Sequence, residues 1–327
     1  MDWRGLRATL RFDGAAWRRF AELGCVYGPE WWKRGSPPVI AAIIFAIARA
    51  QRAAVLANQR QVRGPVRGPR GWLRERWHAY RVFAEFARSV TEAMEQWGPR
   101  PRPLVLHAVG AEIFEAALAE HRGLVALTGH FGSWEVAARH LAGLGRPVNM
   151  VVAHEPNPSV RDFMHAIRSR HGFQVIYSDR SVFTGLPILQ ALRRDQIVGM
   201  QIEPWGPMPG SHEVEFCGRP TRFQLGPFAV ARVAGAPIVP VFAVRTGIRR
   251  YQIQVIGRFA PKTPAESVAA LAATVRAYER LVRAVPAQWL MFEDVWGAPP
   301  ASGRVADEMV TPPSRPTRSS PTPSGSA

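Results

Sequence analysis

The sequence predicts an α/β fold, a mostly parallel twisted sheet flanked by helices, with a helical, membrane-associating segment at the amino terminus. Three observations predict it. Short apolar runs alternate with helical stretches through the middle of the chain, the first hundred residues lack strand-like alternation, and a strongly basic composition surrounds one ten-residue apolar run.

Residues 1–103 read as helices broken by Pro and Gly at 35–38 and 64–71. The run VIAAIIFAIA (39–48) is followed by Arg49 and Arg52. A bilayer span needs about 20 apolar residues, so this run is too short to cross. It suits either a buried helix or a helix lying in the membrane interface, anchored by the aromatic and cationic residues of WWKR (31–34). The arginine-rich RQVRGPVRGPRGWLRERW (60–77) favours the interface. Next, Trp77, Tyr80, Phe83, Ala84 and Ala87 recur at helical spacing, which is a packing stripe.

An α/β region is expected over 104–300. Its strand-like runs are LVALT (124–128), PVNMVVA (147–153), FQVIY (173–177), QIVGMQI (196–202), EVEF (213–216), PIVPVFAV (237–244) and YQIQVIG (251–257). Helical stretches lie between several of them, which argues a largely parallel sheet covered on both faces. ESVAALAATVRAYERLVRAV is a final helix. Residues 301–327, rich in Pro, Ser and Thr, cannot bury enough apolar surface to order themselves and read as a disordered tail.

Composition narrows the function classes. With 47% hydrophobic residues the chain can bury a core, and its net charge of +17 suits a polyanionic partner or an anionic membrane surface. An arginine-rich genome would produce part of the same excess. The arginines are scattered and no helix-turn-helix stands out, so nucleic-acid binding is the non-enzymatic alternative and is not expected. Cys25 and Cys217 form neither a disulfide framework nor a metal cluster, and no cleavable signal peptide is read in the first twenty residues.

The chemistry concentrates at GHFGSWE (129–135), where a strand hands over to a helix. Gly129 and Gly132 flank His130 and Phe131, so backbone can approach a ligand closely there. A helix starting near Ser133 turns its free amides and positive dipole end towards the turn. That field disfavours imidazolium, keeping His130 neutral and able to take a proton, and it suits an oxyanion. Glu135, in the first helical turn, orients His130 or supports the helix end. A metal is not expected: His130, Glu135 and His140 recur every fifth residue, and a five-residue step turns a helix by about 140°. No G-x-S-x-G, phosphate loop or G-x-G-x-x-G is present.

GHFGSWE resembles the H-x4-D/E signature of the glycerolipid and lysophospholipid acyltransferase superfamily. Within it the chain resembles the late, or secondary, lipid A acyltransferases and their relatives that acylate phosphatidylinositol mannosides. The resemblance continues through HEPNPSVRDFMHAIRSRHG (154–172), ALRRDQIVGMQIEPWG (191–206), FCGRPTRFQLGPFAVARVAGAPIVPVF (216–242) and YERLVRAVPAQWLMFEDVW (278–296). It implies a glycerolipid acyltransferase-like fold and acyl transfer in which His130 deprotonates an acceptor hydroxyl that attacks an acyl thioester. No cofactor is implied, the donor substrate being acyl-ACP (acyl carrier protein) or acyl-CoA. Glu203 stands where relatives place an acidic partner of the histidine, and it is favoured over Glu135 for that role. Arg168 and Arg170 match arginines of the family pattern. They are read, with Arg222 and Gly132, as substrate-binding, since a guanidinium fork suits the phosphates of donor and acceptor. The implied acceptor is a membrane glycolipid such as lipid A. A different polar lipid (an amino-acid lipid, a polyene lipid or a phosphatidylinositol mannoside) is the alternative. The implied location is the cytoplasmic face of an inner membrane, as a peripheral or monotopic protein.

Overall fold

The computed structural model describes residues 22–297, except 97, 100, 144, 154–160, 163, 164, 166, 167, 170, 171, 179–184, 205–209 and the side chains of 137, 139, 140 and 142. The chain divides into two units, Met1–Trp296 and Gly297–Ala327, and the expected tail lies outside the described residues.

A short helical stretch at 22–27 precedes three longer helices: α1 (Glu30–Ile47), α2 (Arg49–Arg63) and α3 (Gly68–Gln96). The expected break at 35–38 does not occur. Pro37 and Pro38 lie inside α1, where a φ fixed near −65° is already helical. Packing outweighs the lost hydrogen bonds: Pro37 is buried, and the Tyr80 hydroxyl donates to the Pro38 carbonyl at 3.0 Å. The break falls instead at Ala48, where the chain turns by 100° between α1 and α2. Arg52 ties that corner by donating to the carbonyls of Phe45 and Ala46 at 2.5 and 2.7 Å. Among the described residues no single helix is long and apolar enough to cross a membrane, though the bent α1–α2 pair passes on length and composition.

The α/β region follows with β1 (Val105–Val109), α4 (Ala111–Leu118), β2 (Leu124–Thr128), α5 (Trp134–Ala142), β3 (Val148–Ala153) and β4 (Phe173–Ser178). It continues with α6 (Gly185–Arg193), β5 (Ile197–Gln201), β6 (Ser211–Phe216), β7 (Arg219–Gln224), α7 (Gly226–Ala234), β8 (Ile238–Gly247), β9 (Arg250–Val255) and α8 (Pro264–Ala284). Seven strands form one sheet in the order β1-β9-β8-β2-β5-β3-β4, parallel throughout except where β9 meets β8. The side-chain period of two sends Val125 and Leu127 to one face of β2 and Leu124 and Ala126 to the other. The first face packs under α6, α7 and α8 through Leu192, Phe228 and Tyr278, and the second packs under α4 and α5 through Phe114 and Val136.

Two strands depart from the sequence reading. β1 is a mostly exposed edge strand without alternation. β7 occupies what reads as a turn, GRPT. The tight turn is one step earlier, where Cys217 (φ 54°) and Gly218 (φ 77°) both take the left-handed conformation that a two-residue hairpin between β6 and β7 demands.

The amino-terminal helices are joined to the sheet by a buried ionic network rather than by apolar packing alone. Arg245 of β8 donates to Glu92 of α3 at 2.8 Å, and the Tyr251 hydroxyl donates to the same carboxylate at 2.5 Å. Arg249 pairs with Glu95 (2.6 Å) and with Glu30 (2.8 Å), and Lys33 also reaches Glu95 at 2.8 Å. A second tie is Asn58 of α2, whose side chain donates to the carbonyl of Glu293 at 2.8 Å and accepts from the amide of Val295 at 3.2 Å.

Candidate active site

In register, Thr128 at the end of β2 pairs with Gln201 at the end of β5. His130 and Glu203 each lie two residues beyond that pair, so parallel pairing alone delivers them to the same place at the carboxyl edge of the sheet. The structure joins them. Glu203 Oε1 accepts from His130 Nδ1 at 3.1 Å and also from the His130 backbone amide. Glu203 is only 2% exposed, whereas the His130 side chain is 43% exposed. With Nδ1–H donated to the carboxylate, Nε2 is the ring nitrogen left to accept a proton.

The turn carrying His130 is strapped on several sides. Its carbonyl accepts from the Leu290 amide at 2.7 Å, the Gly132 amide donates to Gln288 at 2.9 Å, and the Ser133 amide donates to Ala243 at 3.3 Å. Phe131, wholly buried, anchors the turn against Phe242 and Tyr278. Gly132 adopts φ +60°, and a Cβ there would sit 1.7 Å from the Ala243 carbonyl oxygen. The close approach of β8 is therefore by itself enough to require the glycine. Gly129 has the site-forming role. A Cβ on it would meet Tyr278 Oη at 2.9 Å and Glu203 Oε1 at 3.0 Å, so its absence lets the carboxylate lie beneath the turn.

The electrostatics differ from the sequence expectation. Burial lowers the pKa of His130, but its hydrogen bond to Glu203 and the charges of Glu203, Glu135 and Glu293 more than offset this, leaving it raised. Three carboxylates thus outweigh the cost of burial. Glu135 does not bond to His130. Burial raises its pKa, opposed by its own backbone amide and by the charges of His130 and Arg168.

His130 opens onto a cavity of about 440 Å³. Its walls are mostly apolar, among them Leu141, Met150, Val152, Met200 and Trp134, while Arg161, Arg168 and Glu293 supply charge. Arg168 is partly buried, which lowers its pKa, and the nearby charge of Glu135 opposes that shift. Arg170 lies outside the described residues. Arg222 does not reach the cavity. It is exposed on the β6–β7 hairpin, opposite Glu213 in register, because the alternation of β7 turns Thr221 and Phe223 inward instead.

Residues that sequence reasoning passed over complete the surroundings. Tyr278 lies against Gly129, and its charge interaction is with Glu203. Glu293 faces His130 and is fixed through its backbone by Asn58. Gln288 receives the Arg245 amide at 2.8 Å and returns a bond to the Arg245 carbonyl at 2.7 Å, which holds the strap of residues 288–290 onto β8. Tyr278, Gln288 and Glu293 all fall in the last stretch of the resemblance, YERLVRAVPAQWLMFEDVW, and that was the one signal that pointed to them.

Residues 78–297 match the family described as bacterial lipid A biosynthesis acyltransferase. Two relatives are named phosphatidylinositol mannoside acyltransferase. The one from Mycobacterium tuberculosis (strain CDC 1551 / Oshkosh) is 27% identical over 198 residues, which cover 60% of this chain and 62% of the relative. The other, from Mycobacterium tuberculosis (strain ATCC 25618 / H37Rv), is 28% identical over 200 residues, with the same 60% and 62% coverage. The match thus spans less than two thirds of each relative's length. With two thirds of its own length in the family match, and with a strand-to-helix histidine held by a buried carboxylate, this chain belongs to the bacterial lipid A biosynthesis acyltransferase family.

Proposed function

We propose that the protein transfers a fatty acyl chain from an acyl thioester to a hydroxyl of a membrane glycolipid, with His130 as general base. The observation that carries this reading is the pairing of Glu203 with His130 Nδ1 at the mouth of an apolar cavity. A hydroxyl is a poor nucleophile at neutral pH, and a neutral imidazole beside it supplies the base. The acyl chain lies along the apolar wall, with the thioester carbonyl at His130. Nε2 takes the hydroxyl proton as the oxygen attacks the carbonyl carbon. The tetrahedral oxyanion then collapses, the carbon–sulfur bond breaks, and the thiolate leaves with the proton from the imidazolium. Products are an ester and a free thiol. Glu203 holds the ring and stabilises its charged form, while Glu135 supports the helix start. Arg168, inside the cavity, is the cation for a phosphate of donor or acceptor. The donor is an acyl carrier protein or coenzyme A thioester.

Membrane attachment on the cytoplasmic face belongs to the same reading. It is supported by Trp31, Val39, Ile43 and Ile47 of α1 and by Leu73 and Trp77 of α3, all exposed, beside arginines. The relatives are named for phosphatidylinositol mannosides and the family for lipid A, which supports a glycolipid acceptor. Both are glycolipids with free sugar hydroxyls.

The test is mass spectrometry of total lipids from cells lacking the gene, restored with it, and restored with His130→Ala. Loss of one acyl chain from a single glycolipid class, in both the deletion and the variant, is the expected result and names the acceptor. An unchanged lipid profile in the deletion would overturn the reading.

A further inference from the structure

A second groove, distinct from the cavity at His130, opens between the end of α2 and the start of α3. It has a volume of about 240 Å³ and is lined by Arg60, Arg63, Arg74, Glu75 and His78, with Gln59 at its base. Its charges are unbalanced. Glu75 is taken by Arg60, whose Nε and Nη2 both donate to one carboxylate oxygen at 2.8 and 2.7 Å. Among the described residues Arg63 finds only the neutral Gln59 amide oxygen, at 3.0 Å. Among the described residues neither Arg74 nor nearby Arg81 is paired with a carboxylate.

Two features say that this excess is not simply a solvated helix face. The amino-terminal turn of α3 contains no acidic residue but carries Arg70, with Arg74 one turn on, so cations lie at the positive end of a helix dipole. The arginines at the end of α2 suit that helix's carbonyl end, but those on α3 oppose theirs. The second feature is His78 Nδ1, which is out of reach of water and has no hydrogen-bond partner among the described residues. Burial and the charges of Arg63, Arg81 and Arg74 lower the pKa of His78. The neighbouring arginine charges thus disfavour a charged imidazole in the groove, a positive potential that an anion would relieve.

We propose that this groove is a phosphate-binding site, with Arg63 and Arg74 gripping the anion. Arg74, His78 and Arg81 stand at i, i+4 and i+7, which places them on one stripe of α3. Leu73 and Trp77, exposed and apolar, stand on the adjoining stripe. The groove therefore borders the surface proposed for the membrane, where the phosphate of a lipid headgroup is available. The phosphate of an acyl-CoA donor has the same chemistry. Phosphate binding itself does not depend on the acyl-transfer reading.

The experiment compares the full chain, Arg63→Gln/Arg74→Gln, and a charge-matched control, Arg276→Gln/Arg280→Gln, on the exposed face of α8. Thermal unfolding is followed with inorganic phosphate or chloride at equal ionic strength. Phosphate should raise the midpoint of the wild type and the control but not of the groove variant. Without phosphate, the groove variant should melt no lower than wild type, because it relieves repulsion; a purely structural role would lower it. Flotation with phosphatidylcholine vesicles, with or without phosphatidic acid, and titration with coenzyme A or its 3′-dephospho form then name the source. The matching probe should bind the groove variant about tenfold more weakly, the scale of losing a charge-assisted hydrogen bond. Equal phosphate shifts in all three proteins, or a groove variant that binds both probes as wild type does, would overturn the proposal. Failure of acyl transfer with intact phosphate binding would count against the catalytic reading alone.

Discussion

Gly129→Ala tests how the site is built. The added Cβ would lie 2.9 Å from Tyr278 Oη, 3.0 Å from Glu203 Oε1 and 3.1 Å from Tyr278 Cζ. Tyr278 is wholly buried and stacked on Phe242 at 4.9 Å, so the ring has no room to withdraw. The carboxylate must then give way by a few tenths of an ångström, taking the His130 ring with it. Overpacking of this kind costs roughly 1–3 kcal/mol of stability. A misplacement of 1 Å costs on the order of a hundredfold in rate, so a few tenths corresponds to about three- to tenfold. Chemical denaturation measures the first quantity, and thiol release from an acyl thioester in the presence of acceptor measures the second. Adding Tyr278→Phe removes the nearest overlapping atom and should restore part of both. A Gly129→Ala protein with wild-type stability and rate would refute the claim that the carboxylate is lodged beneath the turn.

Gly132→Ala should be far worse, since φ +60° and an overlap with backbone leave nothing that can yield. The expected loss is about 3 kcal/mol or more in a denaturant titration, and a well-folded variant would contradict the described turn. Glu92→Ala leaves Arg245, whose side chain is 10% exposed, with only the longer 3.4 Å pairing to Glu85 among the described carboxylates, and should cost about 3 kcal/mol, with Glu92→Gln costing less. The pH dependence of transfer follows from His130. Only its neutral form is a base, so the rate should rise with pH through a midpoint above the ordinary histidine range. In Glu203→Gln the opposition to burial weakens, and the midpoint should move to lower pH while the plateau falls. A midpoint that stays in place would remove Glu203 from contact with the base.

The sequence made the sheet legible where strands are buried on both faces, as in LVALT and PIVPVFAV. It hid β1, whose VLHAV is mostly exposed, and β7, whose RPTRFQ carries Pro and two arginines. Pro37 and Pro38 misled for a related reason, since tertiary packing decides whether a helix survives them. At the site, the resemblance pointed to Glu203 as the partner of His130, and the parallel pairing of β2 with β5 brings the two together. The roles of Asn58, Gly129 and Tyr278 were not legible. Each acts across the fold, and Asn58 bonds to residues more than 230 positions away. Local pattern carries no information about such contacts. Gly132 was noticed for its conformational freedom, but the neighbour that demands it, the Ala243 carbonyl, was not legible.

The most direct test of the central claim is the rate of acyl transfer from a thioester to the glycolipid acceptor by purified wild-type protein and His130→Ala, with equal melting temperatures established first. Removing a positioned general base should lower the rate by about a hundredfold to ten-thousandfold while the fold survives. Transfer by folded His130→Ala at the wild-type rate would contradict the account.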